Sequence, residues 1–141
     1  MTIEIYAATW AQDRALLAAV RRTVFIEEQG VPEELEWDEA DARAWHWLAL
    51  TNARAVGTVR MLADGHIGRM AVLVGARRQG LGSGLLVTAL AQASAIGLGV
   101  VYLDAQLQAL PFYVRHGFRA EGPEFLDAGI AHRRMRRALT A

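Results

Sequence analysis

The residues best placed to do chemistry cluster at Arg77-Arg78-Gln79-Gly80-Leu81-Gly82-Ser83-Gly84, between a short apolar run and a long one. That pattern reads as strand, turn and helix. A helix N-terminus leaves backbone N–H groups unpaired at its positive dipole end. Glycines let a bulky anion approach that backbone, and arginines add charge-assisted hydrogen bonds. The spacing predicts a phosphate-binding turn, although glycines also serve a plain tight connection. A Walker A loop is excluded, because all 15 basic residues are arginine and none is lysine. A dinucleotide fold is opposed by the antiparallel strands expected ahead of the turn, and only weakly by its missing acid, since Asp104 is the nearest candidate.

Other chemistries fall away by composition. Without cysteine there is no disulfide, zinc–thiolate site, iron–sulfur cluster or thiol nucleophile. Without lysine there is no Schiff base. His46, His66, His116 and His132 have no ligand spacing, so no metal is expected. Fifteen acids balance fifteen arginines, and zero net charge argues against nucleic acid as partner. Eight of those acids crowd into one stretch: Glu27, Glu28, Glu33, Glu34, Glu36, Asp38, Glu39 and Asp41. Such a run is normally solvated surface. Bordering a cleft, it would attract a cationic acceptor. Arg133, Arg134, Arg136 and Arg137 alternate along a strand, which suits a rim or cofactor-side role.

The elements that position these residues follow from periodicity. At 141 residues the chain suits one domain, 1–141, and buries a core without staples. Alanine supplies 26 of its apolar residues. No leader is visible at Met1–Trp10, and the uncharged stretch Gln79–Leu103 is broken by five glycines, so it reads as a buried helix and not a membrane span. The chain is expected to be cytoplasmic. Strands are predicted at Thr2–Ala8, Ala44–Leu50, Ala55–Leu62, His66–Val74, Val100–Ala105, from Phe118, and at Ile130–Arg137. Ala11–Glu28 is a helix on Leu16, Val20 and Val24, with Leu17 beside them, ended by Gly30 and Pro32. The acidic stretch is a loop or short helix. Leu81–Ile96 is a helix apolar nearly all round, expected to be covered on both faces. Val100–Ala105 suits a sheet centre, and Leu107–His116 is a helix interrupted by Pro111. This order predicts an α/β fold with both parallel and antiparallel strand pairs.

Arg77-x-x-Gly80-x-Gly82, after Met70-Ala71-Val72-Leu73, resembles the pyrophosphate signature of the GNAT acyltransferases. Ala109-x-x-Phe112-Tyr113-x-x-x-Gly117-Phe118 resembles that family's helix and strand beyond the cofactor cleft. Glu27-Glu28-Gln29-Gly30-Val31-Pro32, Asp38, Asp41, His46, Ala105-Gln106 and Phe125-Leu126-Asp127-Ala128-Gly129-Ile130-Ala131-His132 are similar to a small branch of it. That branch carries proline where Ala131 stands, a departure expected to alter only the strand entry.

The resemblance implies a single-domain GNAT-like fold: a mixed, mostly antiparallel sheet with a splayed parallel pair in the centre, flanked by helices. The pair would be His66–Val74 and Val100–Ala105. It implies an N-acetyltransferase moving an acetyl group from acetyl-CoA, as donor substrate, directly to a small-molecule or peptide amine. The backbone of Met70, Ala71 and Val72 would hold the pantetheine arm and thioester oxygen. The backbone of Arg78, Gln79, Gly80, Leu81, Gly82 and Ser83 would hold the pyrophosphate, with the side chain or backbone of Arg77 completing the cradle and Gln106 and Phe112 lining the cofactor cleft. A free strand N–H would stabilise the oxyanion. Tyr113 would be the acid at the leaving sulfur. Glu28, His46, His66 and His132 compete for the role of base, with Glu28, His46 and His132 also candidates for holding the acceptor. The fold is compatible with a homodimer. Two other readings of the same residues are an inactive CoA-binding sensor or interaction module, and a nucleotide-binding regulatory domain that prefers ATP to CoA.

Overall fold

Alternation along Trp45-His46-Trp47-Leu48-Ala49 sends successive side chains to opposite faces of a strand. The computed structural model, which describes residues 2–139, shows what each face meets. Trp47 and Ala49 of β2 (Trp45–Thr51) join the main core beneath helix α3 (Leu81–Ala95). Leu48 faces the other way, against Leu17 of helix α1 (Trp10–Arg21). One sheet thus lies between two helices. It is antiparallel throughout, in the order β1-β2-β3-β4, with β1 at Ile3–Ala8, β3 at Arg54–Met61 and β4 at Ile67–Val72.

A second antiparallel sheet has the order β5-β7-β6, from β5 (Val100–Gln106), β6 (Arg119–Asp127) and β7 (Ile130–Ala138). The two sheets meet at one parallel bridge, His66 with Tyr102, where the Tyr102 N–H donates to the Gly65 carbonyl over 3.1 Å. Beyond that bridge β4 and β5 share no further ladder among the described residues. So β5 is an edge of its own sheet and the seam between both. The His66 ring stacks on Tyr102 at 4.6 Å, and Arg134, which donates to Asp104, lies over the other aromatic surface at 4.8 Å. Helix α4 (Leu110–Arg115) follows β5 after a tight 3₁₀ turn at Leu107–Ala109 and carries Pro111 in its first turn, where a missing N–H costs nothing.

Three expectations are corrected. The buried stripe of α1 is Leu17, Val20 and Arg21, with Val24 beyond it, and Leu16 is 43% exposed. The helix also widens into a π-wound segment, Arg22–Glu28, so the predicted helix is one rod with two windings. And α3 is covered on one face only. Leu81, Leu85, Leu86, Ala89, Leu90 and Ala93 are buried, while Val87 is 54% exposed, because no element packs outside it. Small residues make that outer face apolar without making it core.

Two acids of the acidic stretch are not solvated surface either: Glu36 and Asp41 are buried, while the other six are exposed. Glu36 closes the short helix α2 (Glu33–Glu36), and Asp38 and Asp41 cap and fill a 3₁₀ turn, Glu39–Ala42. Arg21, fully buried, donates to Glu36 Oε2 and Asp41 Oδ1, each at 2.7 Å. Arg60 donates to Asp38 and Asp41 at 2.8 and 3.0 Å, and Arg69 pairs with Glu36 and Asp38 at 3.1 and 3.3 Å. Three arginines neutralise three carboxylates. The Arg21 guanidinium lies against two neighbouring rings, Trp10 and Trp37, at 5.4 and 5.1 Å. Burial works against the charge of Asp41, but Arg21 and Arg60 outweigh it and hold its carboxyl below the ordinary value. For Glu36 burial wins and its carboxyl is raised despite Arg69 and Arg21. Glu33 and Glu28 are also paired, with Arg22 and Arg77.

Candidate active site

The glycine turn opens α3 without any capping side chain and with no acid in its first turn. Fifteen residues of helix dipole therefore face an uncapped end. Gly80 stands at φ +81°, a left-handed conformation that residues with a Cβ rarely adopt. Gly84 is a packing glycine: a Cβ there would meet Ile5 Cδ1 at 2.7 Å. Gly80 and Gly82 both face the space in front of the turn, and a Cβ at Gly82 would sit 3.6 Å from the Phe112 ring. A cavity of about 360 Å³ lies here, lined by Val72, Arg77, Arg78, Gly80, Leu81, Gly82, Ser83, Phe112 and Arg115. Free N–H groups, a dipole end and arginines fit a pyrophosphate.

Two details depart from expectation. The Arg77 guanidinium is engaged elsewhere, donating to the Val72 carbonyl at 2.8 Å and to both oxygens of Glu28 at 2.6 and 2.9 Å. It braces the strand end and leaves the turn to backbone. Gln79 lines a different hollow, beside Thr23, Asn52 and Val74. Two residues were missed. Arg115 lines the turn cavity, and the ring of His116 lies 3.0 Å from Ser83 Oγ through Nε2. Their signal was the spacing Phe112, Arg115, His116, which puts all three on one side of α4.

A second cavity, of about 190 Å³, gathers Phe25, Gln29, Val31, Leu35, Glu36, Arg69, Met70, Gln106, Tyr113, Asp127 and His132 among its walls. The extended chain near its floor is irregular. Register slips between Thr58 and Arg60, so Val59 faces both Arg69 and Met70, and Arg69 takes φ +49°. Such a bulge leaves strand groups off the ladder. Gln106 donates to Gln29 over 2.8 Å across the wall. Burial pushes the Tyr113 phenol up, so it stays protonated, and its ring is set by edge contacts with Phe112 and Phe118 at 5.0 and 5.8 Å.

The histidine candidates separate sharply. His132 Nδ1 lies 2.7 Å from the Ile130 carbonyl. A carbonyl only accepts, so Nδ1 carries the proton and neutral Nε2 keeps its lone pair. His132 borders the cavity. His46 does not. It is 1% exposed, stacks on Trp10 at 5.6 Å, and donates from Nε2 to the Asp41 carbonyl at 2.8 Å. Burial holds its pKa down and leaves Nδ1 without a partner. It faces α1, away from any substrate. His66 sits at the bridge between the sheets. Glu28 lines neither cavity, and its hydrogen bonds from Arg77 hold its carboxyl below the ordinary value, which makes it a poor base. Ala71, whose backbone is expected at the donor arm, turns its side chain to Val20 and Val24.

The two cavities share their borders. Met70 and Val72, two apart on β4, line one each, and so do Tyr113 and Phe112 of α4. No helix among the described residues is long and apolar enough to cross a membrane. No group of three or more His, Cys, Asp or Glu among them is placed to hold a metal.

Residues 8–139 match the family model described as acetyltransferase (GNAT) domain. The N-acetyltransferase YjcF of Bacillus subtilis is 41% identical over 121 residues, covering 82% of this chain and 86% of that protein. An acyl-CoA N-acyltransferase from Pseudomonas aeruginosa superposes with a TM-score of 0.87 at 31% identity, covering 97% of this chain and all of its own. N-acetylglutamate synthase from Neisseria gonorrhoeae, solved with coenzyme A and N-acetylglutamate, shares the fold at a TM-score of 0.72 and 20% identity, over 100% of this chain and 36% of its own. The chain belongs to the GNAT acetyltransferase family, enzymes that move an acyl group from an acyl-CoA to an acceptor.

Proposed function

We propose that this enzyme moves an acetyl group from acetyl-CoA directly to a small primary amine, in the cytoplasm. The observation that carries the reading is the shared border of the two cavities. A donor whose pyrophosphate lies on the turn would reach Met70 and Tyr113 with its thioester. The fold neighbour that holds coenzyme A supports a CoA donor. In this reading the backbone of Arg78 to Ser83 binds the pyrophosphate. The backbone of Met70 to Val72, freed in part by the bulge, holds the donor's arm and offers N–H to the charge developing on the thioester oxygen.

The amine arrives as an ammonium and must lose a proton before it can attack. His132 Nε2 takes that proton. The nitrogen then bonds to the acetyl carbon, the carbon–sulfur bond breaks, and the sulfur leaves as thiolate. The Tyr113 hydroxyl donates a hydrogen bond to that sulfur, which ends protonated as free CoA. One proton is released to water for each ammonium consumed.

A panel of primary amines incubated with acetyl-CoA, with thiol release followed by a colorimetric reagent, tests the proposal. Amine-dependent release is expected, falling strongly in His132→Gln. A protein that binds CoA and yet releases thiol no faster with any amine than without one would refute it.

A further inference from the structure

The cavity that holds His132 carries one carboxylate that nothing neutralises. Of its charged walls, Arg69 and Glu36 pair with each other at 3.1 Å, and Arg69 is also held by Asp38. Gln29 and Gln106 bond each other. Asp127 alone remains. It is exposed, and no basic group among the described residues pairs with it. Its placement is fixed by the β6–β7 hairpin. Ala128 and Gly129 turn with φ +51° and +77°, both left-handed, as a two-residue hairpin turn requires. The register sets Asp127 opposite Ile130 and Phe125 opposite His132. Alternation then puts all four on one face. The Phe125 ring stacks on His132 at 5.9 Å, which fixes that imidazole beside the carboxylate's side of the hairpin.

Beside these polar groups, Phe25, Val31, Leu35, Met70 and Ile130 supply apolar wall, and Gly68, Tyr113 and Ala128 complete the lining with His132. The volume, about 190 Å³, is close to the roughly 150 Å³ that accommodates a benzene ring in an apolar cavity. There is an anchor for a cation and room for a ring, but no free cation to receive an anion.

Resting on the amine-transfer reading, we infer that Asp127 selects the acceptor, and that the acceptor is an aralkyl or branched-alkyl amine without a carboxylate. Asp127 receives the ammonium by charge and hands it to His132 on the same hairpin face. An α-amino acid would bring its carboxylate against Asp127 and beside an arginine already spent on Glu36. Asp127 is thus a specificity residue, and His132 the base.

Steady-state kinetics with phenethylamine and phenylalanine, a pair differing by one carboxylate, tests this in the wild-type enzyme and in Asp127→Asn. Phenethylamine is expected to have at least a tenfold higher kcat/KM. Asp127→Asn should raise its KM about tenfold and change kcat less than threefold, and Asp127→Glu should recover most of the loss. Asp127 is exposed, so the melting temperature of Asp127→Asn should stay at the wild-type value. An active enzyme that uses phenylalanine equally well, or an unchanged KM in Asp127→Asn, overturns the inference and leaves amine transfer standing. Absence of turnover with every amine, despite CoA binding, overturns both.

Discussion

At the glycine turn the proposed binding surface is backbone from one short run, Arg78 to Ser83. At the acceptor cavity it is side chains drawn from positions as far apart as Phe25 and His132. The first surface depends on where a helix starts. The second depends on five segments meeting at the right distance. That difference assigns the arginines two kinds of work. Arg78 and Arg115 line the turn, where an anion is expected. Arg21, Arg60 and Arg69 are spent inside the protein, holding the acidic loop that carries Leu35 and Glu36 against the cavity. A backbone cradle survives changes at a distance. An assembled cavity is only as stable as the network behind it.

The largest effect should follow from breaking that network. Arg21→Met keeps an apolar stem against the two tryptophans and removes the charge. Glu36 and Asp41 are then left buried with one arginine fewer each. Removing one partner of a buried pair typically costs about 3–5 kcal/mol, a large share of a small domain's stability. Urea unfolding should show that loss, while the affinity of the folded protein for CoA should hold. A cost under about 1 kcal/mol would mean that water already reaches these charges and the loop is held by packing.

Next comes Tyr113→Phe, which removes one oxygen where the two cavities meet. Burial pushes the phenol pKa up, so proton transfer to a thiolate, ordinarily near 8.5, runs uphill. A hydrogen bond to the developing charge is the stronger of its two conceivable services. The turnover number should drop roughly 10²-fold with the KM for acetyl-CoA nearly constant. Because a hydrogen bond and not a titration is at work, the alkaline limb of the pH profile should not move. Wild-type turnover, measured where chemistry limits the rate, would leave Tyr113 as a wall.

The turn itself is tested by Gly82. A methyl there reaches the Phe112 ring at ordinary contact distance, 3.6 Å, so alanine should fit. Valine adds bulk where the anion must approach. Calorimetric titration should show CoA affinity reduced about tenfold or more in Gly82→Val and much less in Gly82→Ala. Equal affinities in two folded variants would take the pyrophosphate off the turn.

These tests follow what the sequence does and does not make legible. The turn is written in consecutive residues, and so were the strand order and the helix that opens at Leu81. The bulge at Arg69 and Met70 was not, because one extra residue in a strand leaves no mark on composition. His132 could be named among four histidines, but its role depended on Nδ1 meeting the Ile130 carbonyl, two residues away along an extended chain. His46, Glu28 and the acidic run looked functional because their residue types were right. Their partners, Asp41, Arg77 and Arg21, lie 5, 49 and up to 20 positions off, and only folding reveals that each is already engaged. Arg69 is charged, borders the cavity and still offers nothing to a substrate. Which charges are spare is a property of the pairing and cannot be counted from the chain.

The smallest effect should come from the exposed acids, and it separates spare charge from spent charge most directly. Glu33 is paired with Arg22, and Glu34 lies on the same short helix, exposed and outside the cavity. If the acidic run steered the acceptor, Glu33→Gln with Glu34→Gln would weaken capture of an ammonium and flatten its salt dependence. The folded arrangement argues otherwise. Three of the eight acids are neutralised from within and two more at the surface, so little net field remains to steer with. Exposed pairs such as Arg22–Glu33 are worth about 0–1 kcal/mol and are screened within about 10 Å at 0.1 M salt. The double variant should therefore differ from the wild-type enzyme in kcat/KM for an amine by less than twofold at both 0.05 and 0.5 M salt, a range over which the Debye length falls from roughly 14 to roughly 4 Å. Asp127→Asn should remove most of whatever salt dependence the wild-type enzyme shows. A double variant that loses it instead would return the acceptor to the acidic run and leave Asp127 a bystander.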